Sequence, residues 1–301
     1  MYEPSRIKTR SAHIKGKITK LMRGLYTVHT KDGPVVCKAR GVFRETDTKP
    51  IVGDDVRIRM APDGDIGYIE EVEPRKNRLL RPPVANIDRV LLVSSRHSPQ
   101  INYLLLDRFL VMCEKEHLHV EIIFSKSDLT PQAEQDELES VYGAIGYPVH
   151  FTSVIRKEGL ETIKERLASG TTALAGPSGV GKSALLSALY PAFAFRTGPV
   201  SERTRRGRHT TRHIEITRIA NDAYVLDTPG FQTLELDAME EADLSHYFPE
   251  FPQRQCRFDN CLHHQEPGCA VKEKLAVGGI ARHRYENYLI LLEEAKKQRR
   301  Y

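Results

Sequence analysis

One stretch of the chain has the residue types and the spacing of a loop that binds phosphate. The apolar run from Thr171 to Ala175 predicts a strand, residues Ala184 to Leu189 predict a helix, and glycines lie between them. Glycines allow backbone N–H groups to turn toward phosphate oxygens, and the helix N-terminus adds a partial positive charge. A lysine here reaches the β- and γ-phosphates, and the serine after it can bind Mg²⁺. The predicted phosphate-binding residues are Gly176, Pro177, Ser178, Gly179, Val180, Gly181, Lys182, Ser183 and Ala184.

A second motif could select the base of that nucleotide. The apolar strand from Val120 to Phe124 leads into residues 125–128, which resemble the Asn/Thr-Lys-x-Asp motif of GTPases with serine at the first position. The Asp128 carboxylate can accept hydrogen bonds from the N1–H and the exocyclic amine of guanine. Adenine offers no such pair of donors, so ATP would leave the carboxylate unpaired. The predicted guanine-binding residues are Ser125, Lys126, Ser127 and Asp128, with backbone N–H groups supplied by Thr152 and Ser153 after the next strand.

Residues beyond the phosphate loop predict the remaining parts of a hydrolytic site. The strand from Tyr224 to Leu226 leads into Asp227-Thr228-Pro229-Gly230, the form of a motif that senses the γ-phosphate. In such a motif Asp227 holds Mg²⁺ through water and the Gly230 N–H contacts the γ-phosphate. Residues 207–211 lie in a stretch rich in Gly and Arg that suits a switch loop, in which Thr210 or, slightly preferred, Thr211 completes the metal shell. The predicted Mg²⁺ ligands are Ser183, Thr211 and Asp227.

The residue after Gly230 limits hydrolysis by the chain alone. Ras-like GTPases place a water-orienting glutamine there, whereas this chain has Phe231. A phenyl ring can neither donate nor accept the necessary hydrogen bond. We therefore expect slow hydrolysis unless another group supplies the missing function.

The cysteines predict a metal site rather than disulfides. The chain has five cysteines, an odd number that argues against a disulfide framework. Cys256, Cys261 and Cys269 lie together in a polar stretch, where His263 or His264 could complete a closed tetrahedral set for structural zinc. Cys37 and Cys113 lie in apolar surroundings and are predicted to be core residues.

Two patterns of hydrophobic residues along the chain predict two kinds of domain. Short alternating runs between residues 14 and 72, separated by turns such as residues 31–33, predict a small barrel of the OB type or the SH3-like type. A basic linker over residues 74–83 follows. Beyond it, strands and helices alternate up to the phosphate loop, which predicts a parallel sheet flanked by helices. A further helix is predicted over residues 282–297.

The charge distribution favours a polyanionic partner, and nothing in the pattern predicts a membrane protein. The net charge of +5 is mild, but basic residues concentrate at both ends and between Arg203 and Arg212. No apolar run approaches the ~20 residues of a membrane-spanning helix. The polar, basic N-terminal segment does not resemble a secretory signal. We therefore expect a cytoplasmic protein with no membrane partner.

The order of the motifs is unusual. GTPases ordinarily run from the phosphate loop through the switch threonine and Asp-x-x-Gly to the base-reading motif and the fifth motif. Here the last two come first, so the domain is predicted to be circularly permuted. With a barrel in front and the cysteine cluster behind, nearly the whole chain resembles the ribosome small-subunit-dependent GTPase A family. The resemblance rests on residues 125–128, 176–183, 207–211 and 227–230 and on the cysteine cluster.

This resemblance implies a multidomain fold. An OB-type β-barrel that binds RNA would occupy residues 1–76, and an α/β P-loop GTPase domain with circularly permuted motif order would occupy residues 77–240. A zinc-binding segment with a C-terminal helix would occupy residues 241–301. The zinc ligands would be Cys256, Cys261, His263 and Cys269, one structural ion per chain, with Mg²⁺ accompanying GTP in the central domain.

The resemblance also implies a function. The chain would bind GTP and GDP and act in late maturation of the small ribosomal subunit, with that subunit and its rRNA as partners. The subunit would stimulate hydrolysis, and His209 of the switch loop would supply the catalytic group that Phe231 cannot. We expect a monomer.

Two other functions are compatible with parts of the pattern. A P-loop kinase or ATPase would share the phosphate loop but prefer ATP, which competition between GTP and ATP would reveal. A zinc-bearing RNA-binding module could carry a vestigial nucleotide site. The intact Lys182, Ser183 and Asp227 weigh against the vestigial site.

Overall fold

The computed structural model describes residues 13–41, 43, 49–62, 64–80, 83–194, 214–227 and 239–298. These residues form two compact units. The first contains the chain up to Ile87 together with residues 214–218, and the second contains residues 88–194, 219–227 and 239–298. Within the described ranges, no helix combines the length and the hydropathy that a membrane span requires.

The first unit contains a closed barrel of five strands, β1 (Ile14–Met22), β2 (Leu25–Thr30), β3 (Gly33–Ala39), β4 (Asp55–Met60) and β5 (Gly67–Val72). The strands pair in the order β1-β2-β3-β5-β4, and only β3 and β5 run parallel. Side chains alternate across each strand, so one set fills the interior. The buried set includes Ile18, Val28, Cys37, Ile58 and Ile69. The OB-type prediction and the core position of Cys37 are confirmed.

The segment after the barrel is more ordered than a plain linker. Strands β6 (Arg78–Leu80) and β7 (Pro83–Ala85) form an antiparallel hairpin within it. The Arg75 guanidinium donates to both carboxylate oxygens of the buried Asp54, at 2.7 and 2.8 Å. Val52 forms a parallel β-bridge with Val84. These contacts join residues distant in sequence, which is why the local pattern predicted only a linker.

The chain also contains a six-stranded sheet, most of which lies in the second unit. Its strands are β8 (Arg89–Ser95), β9 (Val120–Ser125), β10 (Val149–Thr152), β11 (Gly170–Ala175), β12 (Ile216–Ala220) and β13 (Ala223–Asp227). Their order is β10-β9-β8-β11-β13-β12, and every neighbouring pair from β10 to β13 is parallel. The parallel sheet is confirmed, whereas β12 was not predicted. Ligands of such sheets bind beyond the carboxyl ends of the strands, where residues 95, 125, 152 and 175 lie.

Helices flank this sheet. They are α1 (Tyr103–Lys115), α2 (Gln132–Leu138), α3 (Leu160–Arg166), α4 (Lys182–Leu189) and α5 (Pro191–Ala194). A 3₁₀ turn covers Ser127–Leu129, and a π-helical turn, Glu139–Gly143, extends α2. The Asn102 side chain caps α1 by accepting a hydrogen bond from the Leu105 N–H at 2.9 Å. Helix α4 begins two residues before its predicted start, so its first turn includes Lys182 and Ser183.

The C-terminal part of the second unit contains a 3₁₀ turn (Leu244–Tyr247), α6 (Ala270–Ala276) and α7 (Arg282–Gln298). The helix predicted over residues 282–297 is confirmed, whereas α6 was not predicted. A common hydrophobic cluster joins Phe248, Phe251, Tyr288 and Leu292 to Val111 of α1. The C-terminal segment therefore packs on the helical layer of the six-stranded sheet.

A buried ionic cluster lies in the same contact. Arg284 of α7, 1 % exposed, donates to Asp107 of α1 at 2.7 Å and to both oxygens of Glu250 at 2.7 and 2.9 Å. The Asn287 amide donates to the other oxygen of Asp107 at 2.6 Å. Burial opposes the charge of Arg284, but its two carboxylate partners raise its pKa above the ordinary value. Burial raises the pKa of Asp107 even beside Arg284, so pairing offsets the desolvation of this carboxylate only in part.

Candidate nucleotide site and metal centre

The phosphate loop connects β11 to α4 in a conformation that requires glycine. Gly176, Gly179 and Gly181 have φ angles of +127°, +81° and +99°, a region that side chains rarely adopt. A Cβ on Gly176 would lie 2.0 Å from the Val93 carbonyl oxygen of the neighbouring strand. The Lys182 ammonium donates to the carbonyl oxygens of Gly176, at 2.7 Å, and Pro177, at 2.8 Å. The Lys182 ammonium thus lies beside the loop, where it is predicted to bind the phosphates of a nucleotide.

The residues predicted to read the base are bonded directly to this loop. The Ser125 hydroxyl, at the end of β9, is within hydrogen-bonding distance of the carbonyl oxygens of Ser94, at 3.0 Å, and Val180. A hydroxyl has one proton, so it donates to one of these oxygens at a time. The Lys126 ammonium donates to the carbonyl oxygens of Gly179, at 2.9 Å, and Ser98. Serine therefore makes a link to the phosphate loop although it replaces the usual asparagine.

The carboxylate predicted to read guanine is held by the fifth motif. The Ser153 hydroxyl donates to Asp128 Oδ1 at 2.6 Å and accepts a hydrogen bond from the Arg156 N–H at 3.0 Å. Thr152 and Ser153 are buried at the end of β10, and Ser127 is buried in the 3₁₀ turn beside Asp128. The second oxygen of Asp128 makes no side-chain hydrogen bond within the described part of the chain. The structure thus brings together both halves of the predicted guanine site.

Two parts of this site had no signal in the motifs. The loop after β8 reaches the phosphate loop, because the Ser98 carbonyl accepts from Lys126 and Pro99 is the nearest neighbour of a Cβ built on Gly179, at 3.9 Å. The Arg156 guanidinium donates to the Asp128 carbonyl oxygen at 3.4 Å. The only indication in the sequence that the loop after β8 belongs to the site was its position at the carboxyl end of a central strand.

Several predicted residues lie outside the described ranges. These are His209, Thr210, Thr211, Gly230 and Phe231. Asp227 is the last residue of β13, and its backbone pairs with Leu174 of β11, immediately before the phosphate loop. The chain therefore enters the predicted γ-phosphate motif at the same edge of the sheet as the phosphate loop.

The predicted zinc ligands converge on one point. The ligand atoms of Cys256, Cys261, His263 and Cys269 all lie within 4.8 Å of one another. His263 Nδ1 is 3.5 Å from each of the three sulfurs, and Cys256 Sγ is 4.0 Å from Cys269 Sγ. A tetrahedral zinc ion with bonds of ~2.3 Å to sulfur and ~2.0 Å to nitrogen would separate nitrogen from sulfur by about 3.5 Å and two sulfurs by about 3.8 Å. The four donors fit such an ion.

The electrostatics of the cluster favour neutral thiols unless a cation is bound. Burial and the sulfurs of Cys256 and Cys269 raise the pKa of the Cys261 thiol to about 12. Three adjacent thiolates repel one another, so a bound cation is what would favour their deprotonated form. His264, the alternative ligand, is not a member of the cluster. The backbone N–H of His264 donates to Glu266 Oε2 at 2.9 Å.

Helix α7 supports the metal loop through main-chain atoms. The Tyr285 hydroxyl donates to the carbonyl oxygen of His263 at 2.7 Å, and the Tyr288 hydroxyl donates to that of Leu262 at 2.8 Å. The Glu266 carboxylate accepts from the Leu262 N–H at 3.1 Å. The His263 ring also packs edge-on against Phe251, with ring centroids 5.9 Å apart. These contacts orient the imidazole toward the three sulfurs.

Comparison with protein families divides the chain into two matched regions. Residues 15–69 match the family model described as RsgA N-terminal domain, and residues 72–237 match the model described as RsgA GTPase. The first region coincides with the barrel. The second contains the phosphate loop and the base-reading motif.

Curated relatives and solved structures match over nearly the whole chain. The protein named small ribosomal subunit biogenesis GTPase RsgA from Agathobacter rectalis is 44% identical over 300 residues, which cover 95% of this chain and 99% of the relative. Its namesake from Halalkalibacterium halodurans is 45% identical, over 94% of this chain and 98% of the relative. The crystal structure of YjeQ from Thermotoga maritima superposes with a TM-score of 0.81 at 36% identity, covering 94% of this chain and 99% of that one. That of YloQ, described as a circularly permuted GTPase, gives a TM-score of 0.79 at 33% identity, covering 98% and 99%.

Proposed function

This chain belongs to the RsgA GTPase family, and from that membership we propose that it hydrolyses GTP on the small ribosomal subunit during late maturation of that subunit. The relatives are named small ribosomal subunit biogenesis GTPases. Its partners are then the subunit, its rRNA, GTP and GDP. We assign the protein to the cytoplasm, where ribosomes are assembled, and we propose that it acts as a monomer.

One observation carries the choice of GTP. Asp128 is fixed by Ser153 on one side. The Ser125 hydroxyl lies within hydrogen-bonding distance of the Val180 carbonyl oxygen of the phosphate loop, and Lys126 donates to the Gly179 carbonyl oxygen of the same loop. A nucleotide whose phosphates occupy the loop therefore presents its base to a pre-positioned carboxylate. Such preorganisation favours guanine, which can donate two hydrogen bonds to Asp128.

The chain's own residues then have distinct roles. Backbone N–H groups of residues 176–184 surround the phosphates, and Lys182 turns from the loop carbonyls to the β- and γ-phosphates. Ser183, Thr211 and Asp227 are the proposed holders of Mg²⁺, which would neutralise phosphate charge during transfer. The Gly230 N–H would report on the γ-phosphate.

The test of this function is GTP hydrolysis by the full chain with and without purified small ribosomal subunits. We expect slow turnover alone, because Phe231 cannot orient water, and a marked increase when subunits are added. Lys182→Ala is the control that removes phosphate binding, and ATP is the control substrate. Equal rates with and without subunits, or equal use of ATP, would reject the proposal.

His209 is our proposed catalytic residue. Its replacement by alanine should reduce subunit-stimulated turnover at least tenfold, within the range of general acid–base effects, and leave the affinity for GTP within about twofold. His246→Ala, at a histidine outside both proposed sites, is the matched control. Unchanged stimulated turnover in His209→Ala would remove this residue from the mechanism.

We propose zinc as the ion of the Cys256, Cys261, His263 and Cys269 site. Thiolates and imidazole select zinc over the hard cations Mg²⁺ and Ca²⁺, and four protein ligands leave no open position for catalysis. The ion is therefore structural. The proposed division of the chain is a barrel over residues 1–76, the GTPase domain over 77–240 and the zinc-binding segment over 241–301.

A further inference from the structure

The loop that follows β8 lies between two parts of the candidate nucleotide site. Its first two residues contact helix α2, which comes shortly after the turn that carries Asp128. Its last two residues contact Lys126 and the phosphate loop. We call this segment, residues 96–99, the bridging loop. Because it has contacts on both sides, its position bears on how the base-reading turn sits against the phosphate loop.

One carboxylate oxygen of α2 anchors the first half of the bridging loop. Arg96 Nε donates to Glu134 Oε2 at 2.7 Å, and His97 Nε2 lies 3.0 Å from the same oxygen. The Arg96 guanidinium also donates to the Tyr103 hydroxyl of α1, so two helices hold this side chain. The hydrogen bond from Arg96 is the largest influence on the pKa of Glu134 and lowers it, which keeps the carboxylate charged near neutral pH.

The second half of the bridging loop supports Lys126. The Lys126 ammonium donates to the carbonyl oxygens of Ser98 and, at 2.9 Å, Gly179. Cε of Lys126 lies 3.9 Å from a Cβ built on Gly181, so the lysine side chain extends along the phosphate loop. Lys126 has a φ of +57°, a conformation that residues with side chains adopt only where the surroundings hold them. Ser98 supplies one of the two hydrogen bonds that the described chain gives this ammonium.

Helix α2 also holds the turn that carries Asp128. The Gln135 amide donates to the carbonyl oxygen of Thr130 at 2.9 Å, one residue along from Glu134. Neighbouring side chains of α2 thus reach the Asp128 turn and the bridging loop. The helix therefore fixes the spacing between these two segments.

We propose that Arg96 and Glu134 are positioning residues for nucleotide binding, which act through Ser98 and Lys126 to hold the base-reading turn against the phosphate loop. The ion pair fixes the start of the bridging loop, and the loop presents the Ser98 carbonyl oxygen to Lys126. A site that is arranged before the nucleotide arrives loses less conformational entropy on binding, so the pair raises the affinity for GTP and GDP alike. This role of the pair rests on the proposed GTPase function.

A second ion pair provides the matched comparison. Arg108 of α1 donates to both carboxylate oxygens of Glu294 of α7, at 2.6 and 2.7 Å. Its side chains are 16% and 36% exposed, against 18% and 29% for Arg96 and Glu134. Neither α1 nor α7 contains a residue predicted to bind nucleotide. A pair that only stabilises the fold should therefore behave like this one.

The experiment measures equilibrium binding of fluorescent GTP and GDP analogues to the full chain without ribosomal subunits. Arg96→Gln and Glu134→Gln should each bind both nucleotides roughly 3- to 30-fold more weakly, within the range for residues that act through a network of contacts. The double variant should lose at most about twofold more than the weaker-binding single variant, because the two residues act as a unit. Arg96→Lys keeps the charge and should recover part of the loss. Glu294→Gln should bind like the unchanged chain.

Turnover and stability distinguish positioning from the alternatives. With small subunits present, Arg96→Gln and Glu134→Gln should raise the KM for GTP and leave kcat at saturating GTP within about twofold. Urea unfolding of Arg96→Gln, Glu134→Gln and Glu294→Gln shows whether the three variants lose similar stability. A loss of nucleotide affinity confined to the first two is the result expected of positioning residues.

Three results would overturn the proposal. They are unchanged affinity in both Arg96→Gln and Glu134→Gln, a loss of affinity that Glu294→Gln shares, and a fall in kcat without a rise in KM. The binding measurement needs no subunit, so these outcomes differ from failure of the proposed function. A chain that shows the expected binding losses, but that subunits do not stimulate, would reject the ribosomal role and support the positioning role.

Discussion

At the residue scale, we propose that nucleotide selection depends on the Asp128 carboxylate, which accepts a hydrogen bond from the Ser153 hydroxyl at 2.6 Å. Asp128→Asn replaces an acceptor by a donor, so GTP should bind roughly 10- to 100-fold more weakly through loss of charge-assisted hydrogen bonds. Xanthosine triphosphate carries a carbonyl where guanine has its amine, so its relative affinity should rise. Competition binding with GTP, ATP and xanthosine triphosphate measures this. Asp136→Asn, an exposed aspartate in α2, is the control, and a GTP affinity unchanged in Asp128→Asn would contradict the assignment.

A second carboxylate predicts a pH effect on stability. The Glu121 side chain is buried, with 2 % of its surface exposed. Burial alone would raise the pKa of this carboxyl group. The hydrogen bond with His150 at 2.7 Å and the charge of Arg166 outweigh the effect of burial, so the pKa is lowered. A carboxylate whose pKa is lower in the folded state than in the unfolded state stabilises the fold at pH values above its unfolded-state pKa. This stabilisation is lost as the pH falls through its folded-state pKa. The loss should therefore occur below about pH 4.5, near the ordinary glutamate pKa.

Urea unfolding between about pH 3 and pH 7 tests this effect. Below the ordinary pKa, the unfolding midpoint of the unchanged chain should fall more steeply than that of Glu121→Gln. The variant should be less stable near neutral pH by about 1–3 kcal/mol, because it loses a charge-assisted hydrogen bond in a buried place. Glu161→Gln, at a largely exposed glutamate of α3, should follow the unchanged chain. Parallel pH curves for the unchanged chain and Glu121→Gln would refute the prediction.

Residue types alone allowed most of the site to be predicted, and the exceptions have a physical cause. The backbone geometry of residues 176–183 restricts which residue types can occupy them. Gly176, for example, lies too close to the Val93 carbonyl oxygen to carry a side chain. The choice between His263 and His264 rested on the family resemblance, since spacing alone accommodates both. The structure places the His263 ring among the sulfurs, whereas His264 lies outside them. That difference arises from backbone direction, for His263 has a φ of +56°.

At the scale of elements, the metal loop and α7 depend on each other. Cys256→Ser, or removal of the ion by a chelator, should destabilise the C-terminal segment by on the order of 3–5 kcal/mol, because the loop has little apolar core of its own. Thermal unfolding followed by tyrosine absorbance would report it, since Tyr285 and Tyr288 contact the loop. Metal analysis should give one zinc per chain before treatment. Cys113→Ala, a buried cysteine away from the loop, is the control that keeps the metal, and a Cys256→Ser chain that still holds a full zinc equivalent would contradict the ligand set.

Local patterns predicted elements with strong periodicity and missed those made by distant partners. Strands β8 to β11 follow apolar runs and were all predicted. Strand β12 has two polar residues among its five, Thr217 and Arg218, and acquires its place by joining the edge of the sheet. The hairpin of β6 and β7 likewise depends on Asp54 and Val52, which precede it by more than twenty residues. Pairing with distant residues does not produce a periodic pattern of apolar residues within the strand itself.

At the scale of the whole molecule, the second unit contains both the candidate nucleotide site and the candidate metal centre, and within it Arg284 joins α7 to Asp107 of α1 and to Glu250. Arg284→Met would leave Asp107 and Glu250 buried without a counter-charge, so it should cost about 3–5 kcal/mol in free energy of unfolding. Arg284→Lys keeps the charge but cannot bond both carboxylates in the same planar geometry, and it should be intermediate. Chemical denaturation of the two variants measures this. A loss below about 0.5 kcal/mol for Arg284→Met, the range typical of surface changes, would show that the cluster is dispensable.

The way α7 grips the metal loop also bears on how the protein can change over evolutionary time. Tyr285 and Tyr288 hold the loop by the oxygens of peptide groups, which every amino acid possesses. The hydrogen bond to the Leu262 carbonyl therefore places no demand on the side chain at that position, although Leu262 also packs against the hydrophobic cluster. The constraint on these contacts falls on the four proposed ligands and the two tyrosines, so exposed side chains of the loop can change while its anchor stays the same.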